Sequence, residues 1–427
     1  MSFRDLFAID RRERAALLIA FLYFFGLLTS YYMLRSVREA MGVRYGPENY
    51  SWLYTTIFAC MLLAQPVYGA LVSRFARRIF VPVIYGFFLL FIVGFYFAWQ
   101  SPDRRDLMAP VFYVWLSIAN LFTVSVFWSY MTDVFSGDQA KRMFGFIAAG
   151  GSAGGLFGAV LTMLFADNID IDGIFAISFL FMLMATICAA VLGRFAAAAS
   201  QRSDAAEMDA LVGGTSWAAF RLVLGKVPLR WLALFMILSG VGGGILYAQQ
   251  GFAVREMFSS DAERAAYFAQ IDLYTNLMAL LLEIFLARWL FMNIGTARVL
   301  TLMPLMLMAG FGILMMGPAV AMIAVFQVLS RGIRFAFGET ALASCYTSLN
   351  REIRYKGKGF IDTFVYRLSD VISQWTVRLL TLAGVSGNGL YLVGACVAAC
   401  TAVVGFLVGR QHERRNAAEK IASPQAA

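Results

Sequence analysis

Apolar residues run along this chain in blocks of about twenty or more, and short polar clusters separate the blocks. Residues 15–34, 108–131 and 389–408 are three such blocks. Each is long enough to cross the roughly 30 Å hydrocarbon core of a bilayer as a helix. The pattern predicts spanning helices at 14–40, 50–73, 79–99, 108–134, 141–166, 173–195, 229–254, 266–291, 297–317, 319–347, 357–383 and 388–410. Residues 198–228 form the longest polar connection, with six predicted helices on either side. The expected organisation is an N-terminal six-helix bundle over 1–197, a cytoplasmic linker over 198–228, a C-terminal six-helix bundle over 229–410 and a cytoplasmic tail over 411–427. The tail is polar and reads as disordered.

Composition sharpens this picture. The chain is 60% hydrophobic and 14% charged, whereas soluble domains are nearer a quarter charged. Its net charge of +9 would suit nucleic acid, but the distribution points elsewhere. With a cytoplasmic N-terminus, one side of the membrane holds most of the basic residues, among them Arg11, Arg12, Arg14, Lys141, Arg142, Lys356, Lys358 and Arg414. The other side holds Arg38, Arg44, Arg104, Arg105, Arg255 and Arg264. That asymmetry is the positive-inside rule, so the basic charge reports topology and nucleic acid is not an expected partner. The first helix follows a cluster of arginines and reads as a signal anchor, with no small-residue cleavage site.

The five cysteines share no metal-ligand spacing, and the single histidine, His412, stands in the tail. Neither a metal site, a cofactor nor His-based catalysis is expected, and the chain does not read as an enzyme. The segment 150–155 is glycine-rich but lacks the Lys-Ser/Thr of a phosphate loop. Gly150, Gly154 and Gly158 follow the small-xxx-small spacing that lets membrane helices pack closely. Gly240 and Gly242 to Gly244 suggest a bend in the seventh helix.

Internal matches point to duplication. Gly145-Phe146-Ile147 and Gly359-Phe360-Ile361 stand 214 positions apart, as do Arg74 and Arg288, while Arg38-Glu39 and Arg255-Glu256 stand 217 apart. Inverted or parallel repeats of this kind are a transporter signature, with substrate held near the membrane midplane between the repeats. The expected fold class is therefore an all-α membrane protein of about twelve transmembrane helices in two pseudo-symmetric six-helix bundles.

Charges inside spans are expensive and mark functional candidates. The interior bases are Arg35, Arg331, Arg334, Arg367 and Arg378, and the interior or near-interior acids are Asp133, Asp272, Glu283, Glu339, Asp362 and Asp370. On an α-helical wheel of the eleventh span, Asp362, Thr363, Tyr366, Arg367, Asp370, Ser373, Gln374 and Arg378 share less than half the circumference. In the tenth, Gln327, Arg331, Arg334 and Gly338 form a narrow stripe. Guanidinium groups suit phosphate or carboxylate, and aromatic rings can stack on a base. Tyr31, Arg35, Arg331, Arg334, Tyr366, Arg367 and Gln374 are thus the candidate substrate contacts. Glu39, Glu283, Glu339, Asp362 and Asp370 are candidates for coupling or charge balance. Pairs such as Arg35–Glu39 and Arg367–Asp370 could equally be structural, neutralising each other along one helix.

Two resemblances complete the reading. Gly69-Ala-Leu-Val-Ser73-Arg74-Phe-Ala76-Arg77-Arg78 resembles the major facilitator superfamily pattern Gly-x-Leu-x-Asp-Arg-x-Gly-Arg-Arg, with Ser73 for Asp and Ala76 for Gly. This implies a cytoplasmic gate loop built on Gly69, Arg74, Arg77 and Arg78. The stretches 31–39, 127–145 and 358–367 resemble the bacterial and plastid ATP/ADP translocase (nucleotide transporter) family, although helix 1 here carries no lysine. The resemblance implies a secondary active antiporter of nucleotides or phosphorylated metabolites. It would be a monomer in a bacterial inner membrane, with both termini cytoplasmic. A proton-coupled carrier of another metabolite or drug, or a lipid flippase, is the alternative.

Overall fold

In a computed structural model the protein is described over residues 11–74, 77–135, 137–199, 216–317, 319–347, 349 and 351–422. Among these residues the chain is helical apart from short connections. The first four helices are α1 (Arg11–Tyr45), α2 (Tyr50–Arg74), α3 (Arg77–Trp99) and α4 (Pro102–Val134). A run over Gly137–Ala199 breaks at Asp170, which adopts φ 52°, ψ −176°, a backbone conformation that residues other than glycine rarely take. Here the Asp170 carboxylate accepts the Ile171 amide at 2.7 Å. The two spans of that run are α5 (Arg142–Ala166) and α6 (Asn168–Gly193). Short α7 (Ser216–Gly225) leads into α8 (Val227–Met257) and α9 (Asp261–Leu282), and α9 continues through a π-helical turn at Glu283–Ala287 into Arg288–Asn293. Then come α10 (Thr296–Met316), α11 (Val320–Ile333, a π-helical turn Arg334–Gly338, then Glu339–Thr347), α12 (Arg351–Phe360, a π-helical turn Ile361–Val365, then Tyr366–Leu382) and α13 (Asn388–Ala422).

The protein is an all-α membrane protein of about twelve spanning helices in two pseudo-symmetric halves. Among the described residues nine helices are long and apolar enough to cross a membrane unaided. The second part of α12 is not one of them: it is 17 residues long and carries Arg367, Asp370 and Arg378. The tail departs from the expectation of disorder: α13 runs on to Ala422. Two contacts explain this. His412 is buried, and the Glu413 carboxylate accepts the Ala297 amide at 3.0 Å, satisfying an unpaired donor at the positive end of α10.

By its contacts the chain divides into two units. The first comprises Met1–Tyr45, Ala59–Asp209 and Phe258–Leu273, and the second Gly46–Phe58, Ala210–Met257 and Tyr274–Ala427. In the first, α1 packs on α5, α6 and α4 around an aromatic core that includes Tyr23, Phe24, Phe127, Tyr85 and Trp99. The segment Phe258–Leu273 is fastened there by Asp261, whose carboxylate accepts from Arg44 at 2.5 Å and from Arg264 at 3.1 Å. In the second, α8 packs on α12, α13 and α11, and α10 packs on α13. The segment Gly46–Phe58 is fastened by Glu48, which accepts from Arg255 at 2.8 Å, and by Thr55, which accepts from the Trp375 indole at 2.9 Å.

One helix seam recurs in both units in matching register. Gly154 and Gly158 of α5 lie against the backbone carbonyls of Phe25 and Thr29 in α1, where a Cβ on Gly158 would come within 2.5 Å of the Thr29 oxygen. In the second unit Gly240 and Gly244 of α8 lie against the Ser369 and Ser373 side chains of α12. Phe25 and Gly240 stand 215 positions apart, as do Thr29 and Gly244, Gly154 and Ser369, and Gly158 and Ser373. The crossing is repeated while the glycines have moved to the opposite helix. Close approach is what small residues give a membrane interface. It needs a glycine on only one side.

Candidate functional site

Helix α1 is apolar for most of its length, then presents Tyr31, Tyr32, Arg35, Arg38 and Glu39 over two turns. In the first unit these meet α4 and, at Asp272, the middle of α9. The Arg35 Nε stands 3.3 Å from Asp272 Oδ2, with side chains 18% and 4% exposed. Arg38 pairs with Glu39 and donates to the Ser117 hydroxyl at 3.2 Å. That hydroxyl in turn donates to the Tyr113 carbonyl at 2.7 Å. The Arg38 guanidinium lies 5.1 Å from the Tyr113 ring centre, and Arg35 lies 5.6 Å from that of Tyr32. Two guanidiniums and two carboxylates are thus gathered in one neutral, mostly buried group, and burial of charge is tolerable only with such pairing.

This cluster takes in sequence candidates Tyr31, Arg35 and Glu39 and joins them to residues that the sequence pattern did not place at a site. Glu39 pairs with its neighbour Arg38, and Arg35 turns to a different helix for its partner, so the i to i+4 pair of Arg35 with Glu39 does not form. Asp272 carried a signal in the sequence as an acid within a span. Arg38 looked like an outer-loop base, and nothing in the sequence marks Ser117 or Tyr113.

The second unit holds the remaining candidates. On α12, Arg367 pairs with Asp370 at 3.4 Å, both partly buried, and lies 5.4 Å from the Tyr366 ring centre. Lys358 reaches Asp362 at 4.0 Å, and both are largely exposed. Gln374 is buried, and its amide nitrogen donates to the Gly244 carbonyl at 3.3 Å and to Ser373 at 3.2 Å, binding α12 to α8. Arg378 donates to the Glu48 carbonyl at 2.9 Å between the rings of Trp52 and Trp375. On α11, Arg331 and Arg334 are partly buried, and Arg334 opens a π-helical turn with its guanidinium 5.2 Å from the Phe335 ring centre. Glu339 comes directly after that turn and Glu283 opens another, and both are exposed. The loop candidates Gly69, Arg74, Arg77 and Arg78 have side chains that lie outside the described residues. Among the described residues no group of acids, histidines and cysteines has the arrangement of a metal site.

A bundle of apolar helices that gathers paired arginines and carboxylates inside a membrane is the architecture of a solute carrier. A family model described as Major Facilitator Superfamily matches residues 16–373. The chain belongs to this superfamily of transporters. A comparison with curated proteins finds no match. Solved structures share the fold. A bacterial homologue of the iron transporter ferroportin, in an inward-facing state, superposes with a TM-score of 0.66 at 14% identity, covering 96% of this chain and 100% of that one. A bacterial homologue of the human lysosomal transporter Spinster gives 0.60 at 13% identity, covering 94% and 98%. The nucleoside transporter NupG gives 0.60 at 13% identity, covering 92% and 97%. At these identities the likeness is one of fold.

Proposed function

We propose that the protein is a secondary active transporter of an anionic organic solute, worked by alternating access, with Arg35 and Arg38 as anion-binding groups. The observation that carries this reading is the Arg35–Asp272 pair, 3.3 Å apart within apolar spans. Packing alone would be served as well by apolar side chains of similar volume. Arginine stays charged when buried and offers a phosphate or carboxylate two parallel hydrogen bonds. Asp272 and Glu39 balance the two arginines when no solute is bound. An entering anion competes with Asp272 for Arg35, so occupancy is tied to the release or protonation of that carboxylate. Tyr31 and Tyr32 flank the same turn and suit an attached ring.

In the second unit Arg331, Arg334 and Arg367, with Tyr366 and Gln374, are further proposed solute contacts. Glu283, Glu339, Asp362 and Asp370 are proposed for charge balance. Nucleotides and phosphorylated metabolites are the first solutes to try, on the resemblance of the 31–39, 127–145 and 358–367 stretches to nucleotide transporters. The expected setting is a bacterial inner membrane, with the protein a monomer and both termini cytoplasmic.

Thermal-shift measurements of purified protein against nucleotides, phosphorylated metabolites and carboxylates test the reading. A ligand at a hundred times its Kd adds about 2.7 kcal/mol to stability. Active anions should then show saturable counterflow in liposomes, and Arg35→Gln should lose both responses. A neutral or cationic solute carried equally well by Arg35→Gln would sink the proposal.

A further inference from the structure

On the second unit, a groove of about 290 Å³ has Arg298 at its lining together with Leu290, Ile294, Leu302, Leu305 and Phe406. Nothing in the transport reading uses it. Leu302 and Leu305 are exposed on a spanning helix, so the groove opens on the bilayer. Its lining is almost wholly apolar, with Arg298 the one charged residue in it. Arg298 stands in the first turn of α10. Leu302 and Leu305 lie four and seven residues further along, roughly 6 and 10 Å deeper at about 1.5 Å per residue.

A second guanidinium arrives from α13. The Arg410 guanidinium lies 4.9 Å from the ring centre of Phe406, which itself lines the groove. Neither Arg298 nor Arg410 forms an ion pair among the described residues. Glu413, an acid close to this end of α10, is engaged with the Ala297 amide at 3.0 Å. Arg298 thus stands at one end of an almost wholly apolar slot, and Arg410 stands beside Phe406 of its lining.

We propose that this groove binds one anionic phospholipid, with its phosphate held by Arg298 and Arg410 and an acyl chain laid along Leu302 and Leu305. A soluble anion would find the charge but waste the apolar slot, and a zwitterionic lipid would set its own cation against two guanidiniums. Basic pockets between spanning helices on the positive side of a membrane have this selectivity, and charge-assisted bonds to phosphate supply it. The lipid would tie α10 to α13.

Native mass spectrometry of the full chain, released from mixed micelles holding equal phosphatidylglycerol and phosphatidylcholine, tests the proposal. The wild type should retain one phosphatidylglycerol in preference to phosphatidylcholine. Arg298→Gln with Arg410→Gln should weaken that retention at least tenfold. Leu305→Trp, which keeps both arginines and fills the slot, should weaken it similarly. Added glycerol 3-phosphate should not displace the lipid. Equal retention of the two lipids, or undiminished phosphatidylglycerol in the double variant, would overturn the assignment. Displacement by glycerol 3-phosphate would also overturn it, making the groove a site for a soluble phosphate. Should Leu305→Trp fail to fold, the double variant, altered at the groove mouth, still decides.

Discussion

The two units solve the problem of charge in a membrane differently. In the first, Arg35, Arg38, Glu39 and Asp272 are drawn into one buried group shared by three helices, and the described spans keep α-helical hydrogen bonding apart from the break at Asp170. In the second, Lys358 with Asp362 and Arg367 with Asp370 lie within α12 at i to i+4 and i to i+3, Arg378 reaches the Glu48 carbonyl instead, and three π-helical turns interrupt α9, α11 and α12. Each π turn leaves a backbone locally underwound, a feature concentrated at functional sites. Glu283, Arg334 and Asp362 all lie in these turns. On the proposed transport reading, the first unit would hold the charges that a solute displaces and the second the helices that bend.

Breaking the buried pair should have the largest effect. Arg35→Ala leaves the Asp272 carboxylate buried without its cation, which costs about 3–5 kcal/mol, and it should abolish transport. Adding Asp272→Asn should recover most of the lost stability, because an unpaired charge costs more than a missing pair, while transport stays absent. Melting temperature and liposome uptake of the two variants read this directly. A double variant as unstable as Arg35→Ala alone would show that the pair is not the source of the cost.

Removing a π turn should matter next. Deleting Ala336 lets α11 close as a regular helix without displacing the flanking segments. Uptake is expected to fall tenfold or more, with the melting temperature and the ligand-induced thermal shift nearly unchanged. Uptake at the wild-type rate would remove the second unit's claim to be the bending one.

These turns also mark where the sequence stopped being legible. Hydrophobic blocks of spanning length located the helices, because they depend only on local composition and order, whereas the seam at an offset of 215 joins residues that the matched segments do not include. The wheel drawn for α12 assumed 100° for every residue. The π turn over Ile361–Val365 inserts an i to i+5 step, which rotates the helix before it by about one residue relative to the helix after it. Asp362, in this turn, stands at an exposed position 4.0 Å from Lys358, so a single wheel does not carry its direction on to Tyr366 and Asp370. Asp272 as the partner of Arg35 was out of reach on other grounds. The two residues are 237 positions apart, and helix periodicity says nothing about which neighbour a buried cation will find.

The glycine seams give a smaller contrast. A methyl group at Gly158 meets the Thr29 backbone, which cannot turn aside. Gly158→Ala should therefore cost about 1–3 kcal/mol, the usual range for overpacking. At Gly332 the obstructing atom is the terminal methyl of Met278, a side chain with three rotatable bonds that adapts readily. Gly332→Ala should cost under about 1 kcal/mol. Equal losses in the two melting temperatures would mean that the first unit's seam is no stiffer than the second unit's contact.

The smallest effect is expected at Lys358 and Asp362, whose side chains are 46% and 39% exposed and whose charged atoms stand 4.0 Å apart. A pair so open to solvent contributes roughly 0–1 kcal/mol, because water screens it and ordering two side chains costs entropy. Lys358→Gln should therefore leave the melting temperature within a degree or two of wild type. Transport separates the two roles open to Asp362. If its carboxylate only neutralises Lys358, uptake is unaffected when the lysine goes. If the carboxylate balances charge for the solute, freeing it from Lys358 should weaken anion uptake severalfold while stability stays put, and restoring a cation with Lys358→Arg should bring uptake back.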